Sequence, residues 1–191
     1  MRLVINLVLF ALILGLIYVL IGSIREPIAF QAERAKREQA VIDKLMEIRT
    51  AQEAYRGITG LFAPTFDTLK QVLNEGKFLI INVQGDPDDP DAVITYDTTY
   101  VNASDSLASL GLNLDSLRYV PFGNGAAFNI KADTIDYQQT LVSVTEVGTP
   151  IKSYMGPFAD ERFVRYDAKY NPNGVRKFGD MNKPNLSGNW E

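Results

Sequence analysis

The first feature of the chain is an unbroken apolar run near its N-terminal end. Residues 3–22 carry no charged side chain and a single amide, that of Asn6. Twenty helical residues span about 30 Å, which is the thickness of a bilayer core. The run predicts a transmembrane anchor over residues 1–22, because a cleaved signal would be shorter and would end in a small-x-small site. We expect Asn6 either to hydrogen-bond across neighbouring helices or to be solvated by headgroups.

Beyond the anchor, the pattern changes to that of an amphipathic helix. Residues 28–57 are rich in Glu, Lys, Arg, Gln and Ala, which favour helix. Four large side chains share one stripe at helical spacing and are expected to pack: Val41, Leu45, Ile48 and Tyr55. Residues 31–40 are polar nearly all round, so this part either bridges solvent or packs against a neighbour.

The ends of that helix are marked by proline and glycine. Pro27 has no N–H to donate, so we expect a kink or short break at the membrane surface. Gly57 and Gly60 are expected to end the helix. The sequence therefore predicts a stalk helix over residues 23–60.

The remaining residues, 61–191, predict a globular α+β domain with a loop-rich C-terminal tail. Thr65 and Gly76 flank a short predicted helix over residues 65–74. A hairpin is expected around Gly123-Asn124-Gly125, because Asn-Gly supplies the positive φ angles of a tight turn. Strand patterns are predicted over residues 77–83, 93–101, 117–122, 127–135, 141–147 and 163–166. The predicted fold is a long N-terminal helix, half transmembrane and half amphipathic, packed on a small antiparallel sheet.

Composition narrows the function. The chain contains no His and no Cys, which excludes Ser–His–Asp and Cys–His catalysis, Cys/His zinc sites, Fe–S clusters and disulfides. We find no carboxylate pair in a catalytic setting, so we predict no catalytic residues, no bound cofactor and no enzymatic activity. A net charge of −4 argues against a nucleic-acid partner.

The order of elements resembles type IV pilins and the pseudopilins of type II secretion. The segment from Leu45 to Tyr55, followed by Gly60-Leu61-Phe62 and Phe66-Asp67-Thr68-Leu69, is similar to the pilin pattern at the end of the long helix. The resemblance covers the architecture of residues 1–70. It implies a structural subunit of an envelope filament or secretion complex, with assembly through the N-terminal helix. The chain is also similar to single-pass envelope proteins of no assigned function.

The sequence departs from the pilin pattern at its start. Only Met1 and Arg2 precede the apolar run, where pilins have a basic leader ending in Gly. No Glu lies five residues into the run, and Glu26 lies beyond its far end. We therefore expect neither processing by prepilin peptidase nor the ordinary pilus assembly in which that Glu aligns subunits.

One acidic segment is a candidate metal site. Residues 85–91 carry four carboxylates, those of Asp86, Asp88, Asp89 and Asp91. Calcium takes six to eight oxygen ligands, and closely spaced Asp side chains supply several of them. The spacing is not that of an EF-hand and two prolines fix the backbone, so a solvated turn is the other interpretation.

A repeated three-residue pattern bears on orientation. Asp followed by Ser or Thr and then an apolar residue or Thr occurs five times and resembles an O-glycosylation signal of exported bacterial proteins; the hydroxyl positions are Thr68, Thr98, Ser106, Ser116 and Thr134. The alternative is that these residues cap turns and helices. Basic residues after the anchor would place the domain in the cytoplasm by the positive-inside rule, whereas the pattern favours an inner-membrane protein with a periplasmic domain.

Trp190 is the single tryptophan and lies one residue from the end of the sequence. Its ring is expected to pack on this domain or on a partner. Three functional hypotheses follow from the whole pattern; one of them, an anchored enzyme or ligand-binding sensor, is disfavoured because the chain lacks His, Cys and any convergent motif. The first is a pilin-like structural subunit whose partners are the membrane and either further copies or other envelope subunits. The alternative is a single-pass scaffold that docks components of an export, motility or envelope-biogenesis machine.

Overall fold

The longest element, α1 (Arg2–Thr59), runs unbroken in a computed structural model that describes residues 1–84 and 95–191. The helix continues through Pro27, so the predicted break is wrong, while the alternative, a kink there, stays a prediction. Gly57 lies inside the helix, so its prediction as an end is also wrong. Gly60 does cap the helix: its φ of 79° is left-handed, and its N–H bonds to the carbonyl of Arg56 at 2.8 Å.

The fold is α+β, with short helices and two small antiparallel sheets arranged along the second half of α1. The remaining elements, in chain order, are α2 (Phe66–Glu75), β1 (Lys77–Gln84), β2 (Thr95–Asn102), α3 (Ala103–Ser109), β3 (Asn129–Tyr137), β4 (Thr140–Pro150), α4 (Lys152–Met155), two 3₁₀ helices (Gly156–Phe158 and Glu161–Tyr166) and β5 (Val175–Gly179). The first sheet pairs β1 with β2, and the second has the order β3-β4-β5. This layout is compatible with a pilin-like fold.

Helix α2 begins and ends where its caps predict. The hydroxyl of Thr65 accepts a hydrogen bond from the N–H of Thr68 at 3.2 Å, and Gly76 follows the last turn. Leu69 and Leu73 are buried against α1. This short helix therefore covers one side of the core and delivers the chain to β1.

Two predicted strands are wrong. Residues 117–122 form turns, joined to the following segment by one bridge between Tyr119 and Ala127, because Pro121 has no N–H and Phe122 has a φ of 59°. The expected hairpin around residues 123–125 is present only as a minimal one: Asn124 and Gly125 have the predicted positive φ, and the arms are joined by the hydrogen bonds from the Val120 N–H to the Ala126 carbonyl and from the Phe128 N–H to the Arg118 carbonyl. Residues 163–166 lie in a 3₁₀ helix instead of a strand. The tail instead contributes β5, which the sequence did not predict.

The core lies between α1, the short helices and the three-stranded sheet. The stripe predicted along α1 is buried, with Val41, Leu45 and Ile48 fully covered and Tyr55 at 7% exposure. Facing them are side chains from α2, the long connection before β3, β4 and β5, among them Leu69, Leu117, Val147 and Phe178. The second half of α1 is therefore the central support of the globular part.

Candidate interaction surfaces

The first half of α1 projects away from the rest of the chain. Residues 2–25, which we call the N-terminal arm, are all exposed, and Asn6 lies among them. The arm is long and apolar enough to cross a membrane, and it is the one helix of this kind in the described parts of the chain. The described residues cover none of this apolar surface, which is therefore available to lipid or to other protein.

Where the arm ends, one face of α1 is held by the C-terminal third of the chain. Four positions spaced by four residues make these contacts and lie above one another on the helix: Glu26, Phe30, Arg34 and Glu38. Their partners lie between residues 154 and 176. We call this set of contacts the helix clamp. The polar segment 31–40, expected to bridge solvent or to pack on a neighbour, thus packs along one face on its own chain.

The first contact of the clamp is electrostatic. The Tyr166 hydroxyl donates to Glu26 Oε2 at 2.6 Å, and Arg165 Nη2 lies 3.2 Å from the same oxygen. Arg162 Nη2 lies 3.6 Å from Oε1. The Tyr166 hydrogen bond, and then the two guanidinium groups, lower the pKa of the Glu26 carboxyl against the opposing effect of its partial burial. Glu26 is therefore held in its charged form at the point where the helix leaves its apolar half.

The second contact is an aromatic cluster around Phe30, which is fully buried. Its ring stacks on Phe163 with centroids 4.9 Å apart and meets the edge of Tyr170 at 5.0 Å. Phe158 and Tyr166 complete the cluster at 6.1 and 6.2 Å. Aromatic pairs at these separations add about 0.5–1.5 kcal/mol each beyond burial. This cluster is the main apolar attachment of the 3₁₀ helices to α1.

The third contact is a chain of ion pairs. Arg34 pairs with Asp167 and with Glu38, and Glu38 pairs in turn with Arg176. The backbone N–H of Lys169, and then Arg34, lower the pKa of Asp167. Burial, followed by the neighbouring Arg34, lowers the pKa of Arg176. Arg37 adds a hydrogen bond to the Tyr154 carbonyl at 2.9 Å. The cations along this face thus already have anionic or carbonyl partners.

A cavity lies beside the helix clamp. It is lined by Arg34, Glu38, Tyr154, Lys169 and Arg176 among others, and of these Arg34, Glu38 and Arg176 are ion-paired groups of the clamp. Burial raises the pKa of Tyr154, so its hydroxyl stays protonated. In the described ranges, no group of three or more His, Cys, Asp or Glu side chains converges as a metal site would require.

A second surface is the β1–β2 ribbon at the far end of α1. Phe78 packs beside the last turn of the helix, where a Cβ on Gly57 would lie 3.8 Å from its ring. The base of the ribbon is closed by a hydrogen bond from the Ala103 N–H to the Gly76 carbonyl at 3.0 Å. Beyond that base, Leu79, Ile80 and Ile81 of β1 are all substantially exposed. The ribbon therefore projects from the domain with large aliphatic side chains uncovered.

The two faces of the ribbon differ in an unusual way. Phe78 faces the domain, and successive strand residues alternate between faces, so Leu79 and Ile81 face outward. The register pairs them with Tyr100 and Thr98, and Tyr96 follows on the same face of β2. A sheet with one face on the core normally turns its apolar side chains inward and its polar ones outward. Here the outward face carries apolar and aromatic side chains, with the charged Lys77 at its base on the same side of β1 as Leu79 and Ile81.

The predicted interaction residues divide between arm, core and tail. Val41, Leu45, Ile48 and Tyr55 lie inside the chain's own core, and Asn6 lies on the exposed arm. Trp190 is half-buried against the core, and its ring lies directly over Gly188. Arg49 Nη1 holds the neighbouring Glu191 at 2.7 Å. The ring of Trp190 thus packs on its own domain, which is the first of its two predicted placements.

The five candidate hydroxyls lie in different environments. Thr98 and Thr134 are exposed on strands, whereas Thr68, Ser106 and Ser116 are half-buried. Each of these three hydroxyls bonds locally: Thr68 to the Thr65 hydroxyl at 2.8 Å, Ser106 to the Asn102 carbonyl at 3.3 Å, and Ser116 to the Asn113 carbonyl at 3.0 Å. These are the turn and cap bonds of the alternative interpretation.

The acidic segment with Asp86, Asp88, Asp89 and Asp91 lies outside the described residues, so the calcium prediction stays a prediction.

Searches for similar proteins add no further guide to function. No protein-family profile, no curated protein and no solved structure matches the chain.

Proposed function

We propose that this protein is a non-enzymatic, membrane-anchored structural subunit of a bacterial envelope filament or secretion complex, assembling through its N-terminal helix. The observation that carries the proposal is the division of α1 into two halves. The arm is left bare by the rest of the chain, while the half from Phe30 onward is the central support of the domain. One helix thus joins a membrane-compatible surface to a packed domain, as the resemblance to pilins implies.

The helix clamp supports a mechanical role. It fixes the C-terminal third of the chain to α1 within two turns of the end of the arm, through Glu26 and Phe30. A force on the arm would therefore pass directly into the domain. An enzyme or a sensor does not need this arrangement, whereas a subunit held by its helix in an assembly does.

The scaffold alternative loses part of its support. It rested on a polar helix segment available to partner proteins, yet one face of that segment is occupied by Asp167, Arg176 and the Tyr154 carbonyl of the same chain. The other face offers no apolar stripe, since exposed residues such as Gln31, Lys36 and Gln39 predominate there. We therefore place the structural subunit first.

Membrane extraction and particle analysis test the proposal. The full chain should resist alkaline carbonate extraction and, after detergent solubilisation, form filaments or oligomers of defined size by negative-stain microscopy and light scattering. Cysteines placed one at a time along residues 7–20 should cross-link with a helical period if one face of the arm contacts a neighbouring copy. The chain has no natural Cys, so each cross-link reports the introduced position alone. Strictly monomeric protein, or capture of only unrelated proteins by the soluble part, would favour the scaffold instead.

Orientation is tested at Thr134, which is exposed on β3. We propose that the domain lies in the periplasm, on the basis of the repeated Asp-Ser/Thr pattern. Cysteine at position 134 should then react with a membrane-impermeant maleimide in cells whose outer membrane alone is permeabilised. Reaction only after the inner membrane is lysed would place the domain in the cytoplasm.

A further inference from the structure

The 3₁₀ helix Glu161–Tyr166 carries two arginines close to the point where α1 leaves the N-terminal arm. Phe163 stacks in the aromatic cluster of the clamp, while Arg162 and Arg165 reach Glu26, about one helical turn nearer the arm. Residues three apart share a face of a 3₁₀ helix, so these two arginines lie side by side. Their guanidinium groups therefore extend along α1 toward the arm.

The length of α1 fixes the distance between these guanidinium groups and the apolar run. Glu26 lies four residues after Gly22, which is about 6 Å along a helix. A bilayer core is about 30 Å thick, or about 40–45 Å with its headgroups, so each headgroup layer is roughly 5–8 Å deep. If the arm spans a bilayer as proposed, both guanidinium groups lie at the depth of the lipid phosphates.

Both arginines keep donors for a further acceptor. Their side chains are 59% and 61% exposed, and the carboxylate of Glu26 engages only some of the five N–H donors of each guanidinium. Arg162 lies over the ring of Phe163 and Arg165 over that of Tyr166, each at 4.6 Å, which restricts their motion. A guanidinium fork held in this way matches the oxygens of a phosphate group.

The acidic groups nearby have local partners. Asp160 Oδ1 accepts the N–H of Arg162 at 2.8 Å, and Glu161 Oε1 accepts from Asn173 Nδ2 at 2.9 Å. Together with Glu26 they balance the charge of Arg162, Arg165 and the exposed Arg25, so the segment as a whole does not attract a distant anion. Its selectivity comes from depth, because the anchor brings phosphate groups to these arginines whatever the net charge of the lipid.

We infer that Arg162 and Arg165 bind the phosphate groups of phospholipid headgroups. The 3₁₀ helix is then a second contact of the chain with the bilayer, beside the arm, and it sets how deeply the domain sits. Val164, an apolar residue that is 37% exposed, lies between the two arginines in sequence and suits this interfacial layer. The inference rests on the proposed membrane anchor.

Solid-state NMR of the full chain in phosphatidylcholine bilayers tests the contact. In buffer without phosphate, the ¹³C signal of labelled arginine Cζ atoms should be dephased by lipid ³¹P. Replacing Arg162 and Arg165 together by Gln should lower the dephased signal by about half, because Arg2 and Arg25 also lie beside the ends of the apolar run. Arg56→Gln, exposed near the far end of α1, should leave it unchanged.

Fluorescence quenching gives an independent measure of depth in the same bilayers. The β1–β2 ribbon, beside Gly57, lies 35 residues after Gly22, which is about 52 Å along a helix. A bimane label on Val164→Cys should lose most of its emission when the lipid headgroups carry a nitroxide. The same label on Thr98→Cys, exposed on the ribbon, should keep its emission.

The outcomes separate this inference from the proposed function. An unchanged dephased signal without Arg162 and Arg165, or equal quenching at positions 164 and 98, would overturn the lipid contact. Quenching at neither position, in chain that resists alkaline carbonate, would overturn it while leaving the proposed subunit in place. Loss of the chain from the vesicles in alkaline carbonate would overturn both. Both arginines are exposed, so circular dichroism should show that the double Gln variant still folds.

Discussion

The side-chain amide of Gln52 forms two hydrogen bonds with the backbone of Ala63, donating to its carbonyl at 3.0 Å and accepting from its N–H at 2.9 Å. Both residues are fully buried. The amide thus takes the place of a neighbouring strand, because the N–H and the carbonyl of Ala63 have no partner among the backbone hydrogen bonds of this loop. The pair joins α1 to the connection that leads into α2.

Replacing Gln52 with Leu should therefore be strongly destabilising for a near-isosteric change. Two buried backbone groups would lose their partners, at a cost of about 2–4 kcal/mol in the free energy of unfolding. Chemical denaturation of the detergent-solubilised chain would measure the loss. Glu53→Ala, on the exposed side of the same turn, should change stability by less than about 0.5 kcal/mol. Equal effects of the two variants would refute the role of the amide pair.

Removing the Phe30 ring should release the C-terminal third of the chain from α1. Phe30→Ala leaves a cavity among four aromatic rings and should cost about 3–5 kcal/mol. Hydrogen exchange should show faster exchange in residues 156–170. Gln31→Ala, exposed on the neighbouring position, is the matched control. Unchanged exchange in both variants would show that the ion pairs alone hold the clamp.

Acid should weaken the clamp at Glu26. Its pKa is lowered in the folded protein, chiefly by the Tyr166 hydrogen bond and then by Arg162 and Arg165. A carboxyl whose folded pKa lies below its unfolded value, here near 4.5, stabilises the fold above that value and loses this contribution as pH falls through the folded pKa. The melting temperature of Glu26→Gln should thus be lower than that of the unmodified protein at neutral pH and should converge with it below pH 4.5. A constant difference at all pH values would exclude the charge as the cause.

The tail carries its own fluorescent reporter. Trp190 is the single tryptophan, and a Cβ on Gly188 would lie 2.4 Å from its ring. Gly188→Ala should therefore displace the ring and shift its emission to longer wavelength, toward that of solvated indole. Lys183→Ala, exposed in the same tail, should leave the spectrum unchanged. An unshifted spectrum in Gly188→Ala would mean that the ring does not pack on this glycine.

Local patterns in the sequence predicted those features of the fold that depend only on residues close together in the chain. The buried stripe from Val41 to Tyr55 and the caps of α2 at Thr65 and Gly76 follow from spacing and residue type, and the structure confirms them. The clamp was missed because the partners of Glu26 and Phe30 lie more than 125 residues away. Its one local sign was the four-residue spacing of Glu26, Phe30, Arg34 and Glu38 in a segment with few apolar residues.

The wrong strand prediction has the same physical origin as the missed clamp, namely partners that lie outside the local sequence. A run such as residues 117–122 has the composition of a strand, but a strand forms only where a neighbouring strand pairs with it, and Pro121 prevents that pairing. The ribbon was predicted as strands, yet its outward apolar face could not be recognised before the register between β1 and β2 was known. Which face of a strand is exposed depends on the strand that it pairs with and on the elements that it packs against, and these partners lie outside the strand itself.

Because α1 continues through Pro27, a motion of the N-terminal arm is transmitted to the domain at the far end of the helix. If the arm spans a bilayer as proposed, a tilt of this continuous helix becomes a sideways displacement of everything attached to its far end. A tilt of about 20°, common for single spans, would move the ribbon laterally by roughly 18 Å over its 52 Å height. Bilayer thickness, by setting that tilt, would then set the lateral position of the far end of α1.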